Sequence, residues 1–199
     1  NNRVLRSTRL VVSNAIASAM LLDYGRSAYA GTCVETPVAS GNWVCSGAAG
    51  ADVTQPIIGT PVVVTTTPGF GISTAAGNAL TITGNGGTVV FDNYASQISG
   101  ATMGLSATNN ATGNLSITTT GSVSGGNIGI NAVNQGTGTT NVTSIGDVVG
   151  TNMSGINGFT GANTTDLTIT AVNVTSNQSG IFVRHFGSGE TTVSATGTV

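Results

Sequence analysis

Lysine is absent from this sequence of 199 residues, and charge of either sign is scarce. Arginine occurs five times and acidic residues seven times, so charged residues make up only 6% of the chain. Four of the arginines lie at or before Arg26, which leaves Arg184 as the single arginine beyond them. A surface that neutralises nucleic-acid phosphates or anionic lipids needs several cations on one face. The composition therefore argues against nucleic acid and anionic membrane surfaces as partners.

Long apolar runs are also missing. The longest, from Leu10 to Leu22, is shorter than the roughly 20 residues of a membrane helix. Arg3, Arg6 and Arg9 precede it, and Ala28-Tyr29-Ala30 follows it with small residues at the two positions that a signal peptidase reads. We predict that residues 1–30 are a signal peptide cleaved between Ala30 and Gly31. An uncleaved anchor is the alternative.

Cysteine is limited to Cys33 and Cys45, just after the predicted cleavage point. In an exported chain, so close a pair with no other partner is most simply a local disulfide. Two free buried thiols are the alternative, and a metal site lacks ligands because too few His and Cys residues are present. Since residues 31–70 are irregular and hold all four prolines, we interpret them as a disulfide-closed N-terminal cap that covers the open end of a repeat structure.

What the sequence does have is a repeat of roughly 25 residues, a length typical of stacked repeat structures. One column places glycine before a branched apolar residue, and a second column consists of valine. Both columns advance along the chain in identical steps. The glycine column is Gly104-Leu105, Gly129-Ile130, Gly155-Ile156 and Gly180-Ile181, and the valine column is Val123, Val148, Val174 and Val199. Such a repeat indicates a solenoid, in which stacked neighbours bury the apolar face that one unit cannot bury alone.

Inside each repeat, apolar residues alternate with polar ones. Met103, Leu105 and Ala107 share one parity, and Ile128, Ile130 and Ala132 repeat it one turn later. This is the pattern of strands with one buried face, and no helical periodicity competes with it. Three short strands fit in each repeat. We therefore predict an all-β right-handed parallel β-helix with about 25 residues per turn over residues 71–199, since parallel crossovers are right-handed in about 98% of cases.

Two irregularities enter this prediction. A third, looser column has variable spacing, which we interpret as turns of variable length; it consists of Leu115, Val142, Leu167 and Val193. Between Ile72 and Leu105 the period stretches beyond that of the later turns, and residues 84–94 are interpreted as a long excursion from the coil. Val199 holds the same place in its turn as Val174, so we expect the β-helix to be truncated at its C-terminal end.

The order of signal, short cysteine loop, the stretch Gly41-Asn42-Trp43-Val44-Cys45 and Thr/Asn/Gly-rich turns resembles the N-terminal part of an autotransporter passenger domain. These are type V secretion proteins of Gram-negative bacteria, here of alphaproteobacterial style, with a pectin-lyase-like β-helix. The turns most similar to the family are Leu80-Thr81-Ile82-Thr83, Gly129-Ile130-Asn131-Ala132 and Leu167-Thr168-Ile169-Thr170. The resemblance implies export through the periplasm to the cell surface, outer-membrane association or secretion, and an outer-membrane translocator barrel in a C-terminal part outside this sequence.

Residues suited to catalysis are few. Asp147 and Asp166 are separated by less than one full repeat, which puts them on different sides of their turns, and we find no pair of acids in one column. Acid–base cleavage of sugars needs two carboxyl groups flanking one bond. His185 takes the place of Asn109, Asn134 and Thr160 in earlier turns, so a stacked turn residue is expected there. We predict no catalytic, cofactor-binding or metal-binding residues.

One surface feature remains. On the outward parity of the Gly-Ile strands, Phe159, Phe182 and Arg184 fall on adjacent turns, and exposed aromatics beside arginine are typical of recognition sites. Cover by a loop or by another part of the protein is the alternative. We expect a non-enzymatic adhesin or structural stalk, whose partner is a host surface or an extracellular polysaccharide. The alternatives are a secreted carbohydrate-active lyase or hydrolase and a self-assembling or ice-binding solenoid, for which the outward positions of the Gly-Ile strands lack regular Thr rows.

Overall fold

The computed structural model describes residues 31–50, 52–87, 89–93 and 97–199. Over these ranges the chain forms strands and turns without any helix, so none of membrane-spanning length and apolarity occurs there. The predicted signal peptide, with Ala30 on its side of the cleavage point, lies outside the described residues.

Nineteen strands follow one another within the described part of the chain. In chain order they are β1 (Thr32–Glu35), β2 (Asn42–Ser46), β3 (Gln55–Gly59), β4 (Val62–Thr66), β5 (Gly71–Thr74), β6 (Leu80–Gly84), β7 (Val89–Asn93), β8 (Gln97–Gly100), β9 (Met103–Asn109), β10 (Leu115–Thr119), β11 (Val123–Gly125), β12 (Ile128–Asn134), β13 (Gly138–Ser144), β14 (Val148–Gly150), β15 (Ser154–Thr160), β16 (Thr164–Ala171), β17 (Val174–Ser176), β18 (Ser179–His185) and β19 (Thr191–Ala195).

The strands form three sheets that run along the molecule. Sheet 1 has the order β1-β2-β4-β7-β10-β13-β16-β19, sheet 2 has β17-β14-β11-β8-β5, and sheet 3 has β18-β15-β12-β9-β6-β3. Except for the β1/β2 pair, neighbouring strands are parallel. Each turn of the chain adds one strand to sheet 3, then to sheet 1, then to sheet 2. The predicted all-β parallel β-helix is confirmed as a β-solenoid of about six turns; its right-handed sense stays a prediction.

The apolar core lies between the three sheets and is built from the predicted columns. Leu105, Ile130 and Ile156 pair in register along sheet 3 and are fully buried, and Ile181 extends the column at the last described turn. In sheet 2, Val123, Val148 and Val174 pair in the same way and are also fully buried. Strict alternation along each strand directs these side chains inward, because successive strand residues point to opposite faces.

The coil begins earlier than residue 71, and the predicted excursion from it is wrong. Strand β3 already pairs in parallel with β6, and β4 with β7, so the segment interpreted as a cap contributes to the coil. Strand β7 lies within the supposed excursion but is an ordinary member of sheet 1. Ile72 pairs with Ile98 of sheet 2, while Leu105 pairs with Leu80. The predicted stretch of the period came from treating Gly71-Ile72, which belongs to sheet 2, as a member of the Gly-Ile column of sheet 3.

The third column is also corrected. Leu115 and Leu167 share a row with Thr140, whereas Val142 shares a row with Ile117 and Ile169. Val193 belongs to that second row, opposite Ile169. The looser column therefore mixes two inward rows of sheet 1. The spacing varies because of this mixing and because the register shifts between Gly138 and Thr140, where the partner strand contains one extra residue.

An antiparallel hairpin of β1 and β2 stands at the beginning of sheet 1. Cys33 and Cys45 lie directly opposite each other in it and form the predicted disulfide, with Cα atoms 3.9 Å apart. Cys45 is fully buried in the core, and β2 pairs in parallel with β4. The disulfide thus ties the edge strand β1 to the first strand that joins the coil.

Candidate functional site

The predicted surface residues lie together on the outward face of sheet 3, at β15 and β18. Register places Phe159 opposite Arg184, and Asn157 opposite Phe182. Their inward neighbours Ile156 and Ile181 belong to the core column. Because the core fixes the parity of both strands, it also fixes the outward direction of the two phenylalanines and the arginine. Phe182 is 37% exposed, and Arg184 is exposed.

Aromatic contacts organise this face. The Arg184 guanidinium carbon lies 5.0 Å from the centre of the Phe182 ring, which is within the range of a cation–π contact. Phe159 packs against Phe186, with ring centres 5.6 Å apart and ring planes tilted by 57°. Sequence reasoning missed Phe186 because it follows the end of β18. The alternation of Phe182, Arg184 and Phe186 was the signal that would have found it.

A shallow depression of about 220 Å³ opens beside these rings. Its apolar lining is Ile128, Met153, Phe159 and Phe182, and its polar lining is Ser154, Asn157 and Arg184. Met153, in the turn before β15, is 47% exposed. Neither Met153 nor Ile128 lies on the strand face used in the sequence prediction, so the depression itself was not anticipated. We call these seven residues together with Phe186 the aromatic face.

Arg184 has no carboxylate partner in the part of the chain that the structure describes, and its recorded contact is with Phe182. Asn157 donates through Nδ2 to Oδ1 of Asn131 at 2.6 Å, and Asn131 donates in turn to Ser106 at 3.3 Å. The amide row therefore runs along the axis toward the aromatic face. The arrangement combines one free cation, aromatic rings and aligned amides, and these groups suit binding.

His185 takes the place predicted for it. Asn109, Asn134, Thr160 and His185 stand in one row of sheet 3, and the first three are fully buried. Asn109 donates to the carbonyl of Gly113 at 3.0 Å, Asn134 to that of Thr139 at 3.4 Å, and the His185 ring nitrogen Nε2 lies 3.2 Å from the carbonyl of Gly189. The other ring nitrogen bonds Thr160 at 2.5 Å. His185 thus continues a row of side chains that hold the turns between sheets 3 and 1.

The prediction that no pair of acids shares a column is wrong. Leu167 pairs with Thr191, and this register sets Asp166 beside Glu190 on the next turn. The backbone nitrogen of Glu190 donates to Oδ1 of Asp166 at 2.9 Å. The pair was missed because the third column was treated as one row, although its residues belong to two rows of sheet 1. Asp147 has a different neighbour, since its Oδ1 accepts from Asn173 at 2.9 Å.

Sheet 1 carries a row of outward threonines that the sequence analysis also missed. Thr118, Thr143 and Thr170 stand in register on three successive turns, and Ser194 follows on the next. The outward positions that lack regular Thr rows are those of the Gly-Ile strands, which form sheet 3. The row suits the strand preference of threonine.

The described ranges contain no candidate metal site, because no three His, Cys, Asp or Glu side chains come together there. The described features define a β-solenoid protein with a disulfide-tied N-terminal hairpin and an exposed aromatic face. Comparison with protein-family models, with curated proteins and with solved structures finds no match to the chain.

Proposed function

We propose that this chain is part of an exported passenger that acts as a rigid, non-catalytic stalk and adhesin on the surface of a Gram-negative cell. The observation that carries the proposal is the continuous apolar core, which runs through consecutive turns from Ile57 to Val174. Parallel strands stack about 4.8 Å apart, so six turns form a rod about 29 Å long. Such a rod holds a surface away from its point of attachment.

Export is supported by the N-terminal sequence and by the disulfide. Disulfides persist in oxidising compartments such as the periplasm and the cell exterior. The Cys33–Cys45 bond closes a hairpin with a sequence separation of only 12 residues, so it leaves the rest of the chain free to pass through a narrow translocator in extended form. Both features fit the resemblance to autotransporter passengers.

The export part is tested by producing the whole chain in a Gram-negative host and fractionating the cells. We expect a periplasmic product that begins at Gly31, as shown by N-terminal sequencing, with both cysteines protected from alkylation until a reductant is added. A cytoplasmic product that keeps residues 1–30 and has free thiols would contradict the export proposal.

The display part is tested by joining the chain to the translocator barrel of an established autotransporter. We expect external protease to degrade the chain on intact cells, with a periplasmic marker protein spared. An engineered second disulfide that closes a wide loop is the matched control, and it should block display until the cells are grown with reductant. Chain that stays protease-protected in intact cells without that second disulfide would count against the proposal.

A second candidate function, carbohydrate cleavage, is favoured by one observation: Asp166 and Glu190 are exposed side by side on adjacent turns. Paired carboxyl groups are the usual machinery of glycoside hydrolysis. Release of reducing or unsaturated sugar ends from a polysaccharide panel, lost in Asp166→Asn, would establish this function. Binding without release of such ends would favour the adhesin.

A further inference from the structure

The aromatic face carries groups that its own fold does not use. Arg184 is the only arginine or lysine among the described residues, and within them it has no acidic partner. Ser154 and Asn157 both line the depression. Ser154 is 7% exposed, and Oδ1 of Asn157 accepts no hydrogen bond within the described residues. A cation and two polar residues therefore lie beside one small apolar surface.

We propose that the aromatic face binds a uronate residue of an acidic polysaccharide, with the sugar carboxylate on Arg184 and the sugar ring in the depression beside Phe159 and Phe182. This inference deepens the proposed adhesin by naming its ligand class, and it rests on that function for its biological use. Binding by the purified chain is measured apart from export and display.

Arg184 is the reason for expecting a carboxylate on the ligand. A guanidinium presents a planar fork of donors that matches a carboxylate with two parallel hydrogen bonds. The contact with Phe182, at 5.0 Å from the ring centre, holds the guanidinium against the ring. Because the side chain is already placed, less conformational entropy is lost when the ligand binds. None of the residues that line the depression is acidic, so an anionic ligand meets no negative charge among them.

The other residues that line the depression are the reason for expecting a sugar as the ligand. The faces of aromatic rings carry partial negative charge, which suits the polarised C–H groups on one side of a pyranose. Half-buried Asn157 offers an amide for ring hydroxyls at the same surface, which Ser154 also lines. The volume of about 220 Å³ is below the range of about 300 to 1,000 Å³ for sites that enclose drug-sized ligands. It suits a single ring of a longer chain.

A protein partner is less well matched. Stable protein–protein interfaces bury about 800 Å² on each partner, and toward β12 the aromatic face is bordered by the hydrogen-bonded row of Asn131 and Ser106, not by further apolar residues. A polysaccharide lying across the turns would meet that polar row with its neighbouring residues. The polar border is therefore a reason to prefer an extended carbohydrate.

The experiment measures binding of the purified chain to hexagalacturonate and to its fully methyl-esterified form by titration calorimetry. The ester has the same backbone without the charge. We expect the acid to bind at least about tenfold more tightly than the ester, because charge-assisted hydrogen bonds are lost in the ester. Arg184→Gln should remove that difference, while Phe182→Leu should weaken both forms and the acid more than the ester, because Arg184 also loses the ring that holds it. Ile145→Ala, at a 58% exposed residue away from the aromatic face, is the control and should change neither.

Thermal unfolding of each variant should match the parent chain, since the substituted residues are outward-facing. Equal binding of acid and ester, an acid preference that survives Arg184→Gln, or no binding at millimolar ligand would each overturn the proposal. A hyaluronan hexamer provides a second uronate, and a glutamate-rich peptide of equal charge provides the protein-like competitor. If only the peptide binds and Arg184→Gln abolishes that binding, the face recognises protein and the carbohydrate assignment is wrong. Failure here leaves the displayed stalk untouched, and failure of export leaves this measurement valid.

Discussion

At the scale of single residues, the glycine and valine columns have one common cause. A Cβ atom placed on Gly104 would come within 2.7 Å of Cγ1 of Val123, and one on Gly129 within 2.6 Å of Cγ1 of Val148. Gly155 faces Val174 and Gly180 faces Val199 in the same manner. Each glycine of sheet 3 thus makes room for the valine that follows it in the same turn of the coil. The two columns are in phase because they are contact partners.

We predict that Gly155→Ala destabilises the fold by about 1 to 3 kcal/mol, because the added methyl group overfills the space between Val174 and the carbonyl oxygen of Gly180. The combined change Gly155→Ala with Val174→Ala should cost less than the sum of the two single changes, since the smaller residue 174 relieves one of these two contacts. Urea unfolding of the four proteins measures this coupling. Gly50→Ala is the matched control, as a Cβ there meets its nearest atom at 3.7 Å. Additive costs would show that the contact does not explain the glycine.

At the scale of elements, the β1–β2 hairpin stands at one end of sheet 1 and is antiparallel, unlike the other pairs of described strands. Strand β1 lies at the edge of sheet 1 and pairs only with β2 in that sheet. Its exposed face carries Val34 and Val44, paired across the hairpin and both exposed. Strand β1 is therefore held mainly by its pairing with β2 and by the disulfide.

We predict that reducing the disulfide lowers the free energy of unfolding of the hairpin by about 3 kcal/mol, the loop-closure contribution for a loop of this size. Amide hydrogen exchange should speed up in β1 and β2, while β12 and β15 keep their protection. The double variant Cys33→Ala with Cys45→Ala should exchange like the reduced parent and should not respond to reductant. Identical exchange in the oxidised and reduced parent would refute this role.

The sequence was sufficient to predict elements but insufficient to set their register everywhere. Parity alone separated inward from outward residues, so the Leu105 column and the outward Phe182 were predicted correctly. In a strand with one buried face, however, positions two apart are both inward. Composition cannot distinguish Leu115 from Ile117 as the partner of Val142. An irregularity within β16 decides between them, and its extra residue between Thr164 and Leu167 has no sequence signature of its own.

The same reason explains which parts of the candidate site were found. Phe159 and Arg184 become neighbours through the well-marked Gly-Ile repeat, whose register has a unique glycine. The depression also needs Met153 from a turn and Ile128 from the turn below. The pair Asp166 and Glu190 depends on sheet 1, where the register was misjudged. Contacts between repeats can be predicted from sequence only where one kind of residue, such as the glycine of the Gly-Ile strands, shows how neighbouring strands are aligned.

At the scale of the whole molecule, stability is shared between neighbouring turns, because each turn contacts mainly the turns beside it. Ile156 is fully buried, pairs with Ile130 below and Ile181 above, and lies three turns from Leu80. A defect at Ile156 should thus weaken the adjacent turns and leave the N-terminal turns intact. In a globular core, by contrast, one buried charge unfolds the entire domain.

We predict that Ile156→Asp makes β12, β15 and β18 sensitive to protease while β3, β4 and β6 stay resistant, since a buried unpaired carboxylate costs several kcal/mol. Limited proteolysis followed by mass spectrometry locates the cuts. Val149→Asp is the matched control, because this residue is 36% exposed on β14 and the same carboxylate there remains in water. If Ile156→Asp is cut no faster than Val149→Asp, the stacked column does not hold these turns together. If the cuts spread through β3, the turns unfold as one cooperative unit, and the nearest-neighbour description of the solenoid is wrong.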